Sequence, residues 1–198
     1  MITQHSKADI QHGPSSQPQL YQHGQVIQEF GTLRLLPIAL AHDARLQSCQ
    51  LLNQILADTM ILYSLYKKHH WQMRGPPFYQ LHLLLDKHAD QQLGLIDTLA
   101  ERVQMLGGVA IADPRDAAEL TTIDRPPSGV EEVPAMLARL LTAHEAIITE
   151  VRAAIAQTAQ NRDDGSNDLL MGDILRTNEQ QVWFLAEHLV DTPLVRGG

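Results

Sequence analysis

From about Pro37 onward the apolar residues recur at helical intervals, and no segment shows the two-residue alternation of a half-buried strand. The first predicted helix runs to roughly His70 and includes LLNQILADTMILYSLYKKHHW. Its middle, Ile55 to Tyr66, is apolar nearly all the way round, which implies burial against more than one neighbour. Gly75, Pro76 and Pro77 then break the chain and open a second helix, since proline suits a first helical turn. The double glycine Gly107-Gly108 ends it. Residues 109–129, with Pro114, Pro126 and Pro127, read as a long crossover carrying a short helix around Ala117.

A third helix is expected to open with Ser128 and Glu131 in capping-box spacing and to bury the stripe Val133, Met136, Leu137, Leu140, Leu141, Ile147, Ile148, Val151 and Ile155. The polar loop Asn161 to Asn167 ends it. A fourth carries Leu170, Ile174, Trp183, Phe184, Leu185 and Leu189 and stops before Pro193. The expected fold is all-α: a four-helix bundle over residues 37–193, with a short C-terminal tail at 194–198. Residues 1–36 differ. They are rich in Gln, Gly, Pro and Ser and read as a flexible or partly ordered extension. Its histidines His5, His12 and His23 read as solvated polar residues.

Composition narrows the function classes. The net charge of -8 gives no support for nucleic-acid binding. The single cysteine, Cys49, excludes an internal disulfide framework. The N-terminus lacks the apolar core of a secretory signal, and no apolar run reaches membrane-spanning length. A cytoplasmic protein with no membrane association is expected.

The candidate chemistry lies between His69 and Gly108. His82 and Asp86 are four residues apart, as are Asp97 and Glu101, so each pair presents both groups from adjacent turns. His70, at the end of the first helix, can fold back beside His82 across the short turn. Imidazoles with carboxylates suit iron or another transition metal, zinc included. Carboxylates this close to apolar runs are costly to bury unless a cation pairs with them. Asp86 and Asp97 share a helix face, yet at 1.5 Å per residue they stand about 16 Å apart along the axis. No single metal spans that distance, so a joint site needs one pair from each of two chains.

Other histidines are set apart. His69 points about 100° from His70 on a helix, and His88 faces away from Asp86. His144 and His188 read as core or near-core residues, with an added metal ligand or a supporting partner of the metal site as the alternative. The Glu-x-x-His signature of conventional di-iron bundles is absent, which disfavours a metal centre inside the bundle. Trp71 reads as packing at a helix end, and Asp163, Asp164, Asp168 and Asp173 as an exposed acidic loop rather than the lining of an iron pore.

The segment KKHHWQMRGPPFYQLHLLLD followed by LIDTLAERVQMLGG resembles the Dps proteins, the mini-ferritins known as DNA-binding proteins from starved cells. The pattern is His-Trp, Gly, Phe, Leu-His with Asp four residues on, then Asp, Ala-Glu-Arg and Leu-Gly-Gly. DILRTNEQQVWFLAEHLVDTPL adds to it. The resemblance implies a ferritin-like bundle in a hollow shell of twelve subunits. It implies ferroxidase ligands at His70, His82 and Asp86 of one subunit and at Asp97 and Glu101 of its twofold partner. It further implies oxidation of Fe(II) by hydrogen peroxide or dioxygen, storage of Fe(III) mineral and protection from oxidative damage. The alternative is a structural nucleoid protein with little ferroxidase role. DNA binding is doubtful for this chain, because Lys7 and Arg34 in the extension are cancelled by Asp9 and Glu29.

Overall fold

The structure is a computed structural model that describes Pro18 and residues 20–191. The tail at 194–198 and the extension's residues 1–17, with His5 and His12, lie outside the described residues. Helix α1 spans His42–Gln72, α2 Phe78–Met105, α3 Pro114–Leu120 and α4 Val133–Gln160. The last helix, α5, begins as Asp164–Leu169, passes through a π-helical stretch Leu170–Leu175 and continues as Arg176–Ala186 to a 3-10 turn Glu187–Leu189. No strand occurs among the described residues. The four long helices form the bundle: α1 packs along α2 and α4, α4 packs along α5, and α3 rides on α1 within the crossover.

The apolar midsection of α1 is buried as its sequence requires. Leu52, Ile55, Leu56, Leu62 and Leu65 meet Leu81, Leu85 and Leu99 of α2 and Met136, Leu140 and Ile147 of α4 in one core. On α5, Leu170, Ile174 and Leu185 face that core, but Trp183 and Leu189 are exposed. The π-helical stretch shifts the register of α5 partway along, so a stripe drawn at a uniform 3.6-residue period misplaces its last turns.

Several boundaries depart from the expected ones. Helix α1 starts at His42 rather than Pro37, because Ala39 adopts a positive φ of 54° that no right-handed helix can include. The expected capping box does not form. Helix α4 begins at Val133 with no side-chain cap, and Glu131 instead accepts two hydrogen bonds from Arg139, at 2.6 and 3.1 Å. The loop after α4 is shorter than Asn161–Asn167, since the Asp163 carboxylate accepts from the Ser166 backbone N–H and starts α5 at Asp164.

The end of α2 is a Schellman turn. Gly107 takes φ +86°, its N–H donates to Gln104 O, and the Gly108 N–H donates to Val103 O. The extension docks here: Arg34 N–H and Gln28 Nε2 both donate to the Gly107 carbonyl at 2.9 Å. A Cβ on Gly107 would lie 2.7 Å from the Arg34 carbonyl oxygen. Gly107→Ala should cost roughly 1–3 kcal/mol of stability, read from denaturant midpoints, and speed hydrogen exchange at the Arg34 amide.

Asp58, fully buried on α1, ties down the crossover by accepting from Thr121 Oγ1 at 2.5 Å, Thr122 N–H at 2.7 Å and Gln54 Nε2 at 3.1 Å. Glu150 of α4 stands beside it. Burial, then a hydrogen bond to Asp58, then the charge of Asp58 push the Glu150 carboxyl up from 4.5 to about 7. Between those values the folded chain holds a proton that the unfolded chain has released, so stability falls as pH rises through that window. Glu150→Gln should flatten the fall, measured as urea midpoints on either side of the window.

Candidate metal centre

Two histidines meet where α1 ends and α2 begins. Gly75, at φ +85°, and the two prolines reverse the chain within residues 73–77, so the last turn of α1 lies against the first turns of α2. The imidazoles of His70 and His82 stack with centroids 3.7 Å apart and planes 19° apart. Each ring is held by the other residue's backbone: His70 Nδ1 lies 2.8 Å from the His82 carbonyl and His82 Nδ1 3.0 Å from the His70 carbonyl. A carbonyl only accepts, so each Nδ1 carries a proton, and in the neutral ring that leaves Nε2 as the nitrogen with the lone pair. That is the tautomer a metal requires, held by the kind of backbone contact that orients metal-binding histidines. Phe78 also stacks on His82, with centroids 5.0 Å apart.

Asp86, one turn beyond His82, places Oδ1 3.8 Å from His70 Nε2. The same oxygen accepts from Lys67 Nζ at 2.5 Å. The Lys67 hydrogen bond holds the Asp86 carboxyl below the usual carboxylate range and raises the lysine in turn. Lys67 Nζ also lies 5.9 Å from the centre of the Trp71 ring. Lys67 thus supplies a positive charge at the carboxylate, a role the sequence reading missed. Its position one turn before His70 is the signal that could have exposed it.

Asp97 and Glu101 lie on the far half of α2, exposed to solvent. The structure brings His70, His82 and Asp86 into one neighbourhood and leaves Asp97 about 16 Å and Glu101 about 22 Å from Asp86 along the helix axis, at 1.5 Å per residue. Among the described residues of one chain, no three His, Cys, Asp or Glu side chains are arranged to hold a metal ion. Both halves are bordered by apolar side chains open to solvent: Trp71, Tyr79 and Leu83 near the histidines, Leu93 and Met105 near the carboxylates. Between them Gly94, with no neighbour within 4 Å of where a Cβ would stand, keeps the helix surface low.

The remaining histidines go elsewhere. His69 is fully buried, burial lowers it to about 4, and neither ring nitrogen has a hydrogen-bond partner. His88 and His144 point into the bundle and meet Tyr66, so His144 is the satisfied core histidine its place in the stripe suggests. His188 is exposed and bonds the Phe184 carbonyl. Asp164, Asp168 and Asp173 are exposed as expected, but Asp163 is not part of an exposed loop. It is buried, with Arg102 Nη2 donating to it at 2.6 Å.

Comparison with known proteins agrees with this architecture. The ferritin-like domain family matches residues 49–195. The solved structure of DpsC from Streptomyces coelicolor superposes with a TM-score of 0.86 at 67% identity, covering 87% of this chain and 100% of that one. Dps from Thermosynechococcus elongatus superposes with a TM-score of 0.73 at 34% identity, covering 78% of this chain and 98% of that one. The DNA protection during starvation protein of Halobacterium salinarum is 33% identical over 162 residues, which are 81% of this chain and 88% of that protein. The chain is a member of the ferritin-like family and, within it, of the Dps branch.

Proposed function

We propose that this protein is a ferroxidase and iron store, taking Fe(II) as substrate at sites shared by two copies of the chain. The observation that carries the reading is the stacked pair of His70 and His82 rings, each locked through Nδ1 by the other residue's carbonyl, beside Asp86. His82 and Asp86 lie as far before the midpoint between Gln91 and Gln92 as Glu101 and Asp97 lie after it. Antiparallel pairing of α2 with a twofold copy about that midpoint sets His82 opposite Glu101 and Asp86 opposite Asp97. The exposed Leu93 beside the open Gly94 suits close approach of a second helix there.

In this reading His70, His82 and Asp86 would hold Fe(II) as substrate, and the Lys67 ammonium would give up its carboxylate to the metal. Imidazole nitrogens suit Fe(II), and the partner's Asp97 and the partner's Glu101 would add hard anionic oxygens that favour Fe(III). Hydrogen peroxide or dioxygen accepts the electrons, and Fe(III) leaves as mineral in the cavity of a dodecameric shell. Zinc, which takes the same nitrogen and oxygen donors, is a competitor for the site. Withdrawing iron and peroxide together protects a cytoplasm under oxidative stress. The Halobacterium relative is named for DNA protection. For this chain the protection is assigned to iron chemistry, because a net charge of -8 and an extension with no net charge offer few cationic partners to duplex phosphates.

Asp97→Ala with Glu101→Ala should lower the initial rate of Fe(III) formation at least about tenfold, as should His82→Ala with Asp86→Ala. Co-assembled chains of the two kinds should recover part of the rate, because each mixed pair contains one intact site. Stopped-flow absorbance on the mixed assembly reads this out. No recovery, or no loss in either double variant, contradicts a shared site.

A further inference from the structure

The strongest feature outside the proposed metal centre is a polar chain through the bundle core, and its direction is fully determined. Asn178 Nδ2 donates to the Ile174 carbonyl at 2.7 Å, which turns Asn178 Oδ1 toward His144 Nδ1 at 2.8 Å. An amide oxygen only accepts, so His144 carries its proton on Nδ1 and has a bare Nε2. The Tyr66 hydroxyl must therefore donate to that Nε2, at 2.6 Å, and the Tyr66 oxygen accepts from His88 Nδ1 at 3.2 Å. Tyr66, His144 and Asn178 are fully buried, and three helices supply them. The acceptor carbonyl at the head of the chain, Ile174, lies in the π-helical stretch of α5, a distortion that recurs at functional sites.

This arrangement prepares Tyr66 for one particular reaction. Burial raises the phenol well above its usual value and lowers His144 to about 4, so at rest the phenol keeps its proton and the imidazole is neutral. An oxidised phenol is a far stronger acid than an imidazolium. When an electron leaves Tyr66, the O–H bond breaks and its proton moves to His144 Nε2. The products are a neutral phenoxyl radical and an imidazolium still bonded through Nδ1 to Asn178. Without that acceptor, oxidation would strand a cation radical among apolar side chains, at a large cost.

A line of rings leads from Tyr66 to the surface. Tyr66 meets His88 edge-on at 5.4 Å, His88 stacks on Phe184 at 6.0 Å, and Phe184 meets Trp183 at 5.0 Å. Trp183 is 59% exposed, and its Nε1 donates to Glu187 Oε1 at 3.2 Å. We propose that Tyr66 is a buried one-electron donor that takes up oxidising equivalents arriving at Trp183, with His144 receiving its phenolic proton. A radical oxidant in solution removes one electron from the Trp183 indole, whose N–H proton passes to Glu187. Tyr66 then reduces the indolyl radical, the indole regains its proton from Glu187, and the phenolic proton rests on His144.

This goes beyond the iron reading, and its test uses no iron, so the two fail separately. Azide radicals oxidise exposed tryptophan, and are generated by pulse radiolysis in a solution of the full-length assembly carrying Trp71→Phe throughout, so that Trp183 is the one tryptophan left. The indolyl absorption should decay as a phenoxyl absorption rises, at a rate independent of protein concentration and slower in D2O. Tyr66→Phe, checked by native mass and circular dichroism, should lose the phenoxyl rise. Trp183→Phe leaves the buried chain intact and should lose the concentration-independent phase. A phenoxyl rise unchanged in either variant overturns the proposal, as does a rate in the parent Trp71→Phe protein that is the same in D2O.

Discussion

A helix cannot fold back on itself, and the functional reading depends on that constraint. Helix α2 carries His82 and Asp86 near its start and Asp97 and Glu101 three turns further on, and its regular rise keeps the two groups apart. The His70–His82 pair completes the first group through the α1–α2 turn, with each ring fixed by the other's carbonyl. In the proposed reading one chain presents half a coordination site on either side of an exposed apolar helix face. A second α2, laid antiparallel across the first, supplies to each half what it lacks. In this account assembly and chemistry share one surface, because the side chains that bury on pairing border those that bind metal.

The histidines divide by what holds Nδ1. At His70 and His82 it is a backbone carbonyl, and Nε2 is left for an incoming cation. At His144 it is a buried amide, and Nε2 already accepts from a tyrosine. The first pair has a carboxylate, Asp86, alongside, while His144 has no carboxylate bonded to it. The tasks proposed for them differ accordingly: binding iron at the edge of the bundle and holding a proton in its core.

Much of this was legible in the sequence, for physical reasons. Four helices and a crossover follow from the 3.6-residue apolar period with Gly75-Pro76-Pro77 and Gly107-Gly108 as punctuation. The closeness of His70 and His82 follows from the shortness of the turn between them. The gap from Asp86 to Asp97 is a property of helix rise alone. What escaped were contacts between helices. Glu131 has capping-box spacing from Ser128, but Arg139 takes its carboxylate. Lys67 reaches Asp86 from a different helix. Tyr66, His88, His144 and Asn178 are scattered over more than a hundred residues, and only the packing of α1, α2, α4 and α5 joins them. The π-helical stretch that breaks the stripe of α5 has no composition of its own to announce it.

The central claim is that the metal lies between chains. Anomalous scattering from crystals of the assembled protein, loaded with Fe(II) or Zn(II) and measured at each metal's edge, tests it directly. The account predicts a peak at the His70 and His82 Nε2 atoms and Asp86, bridged to Asp97 and Glu101 of the partner subunit, with Lys67 withdrawn from Asp86. A peak inside the bundle beside His88 and His144, or none at the His70–His82 pair, would contradict it.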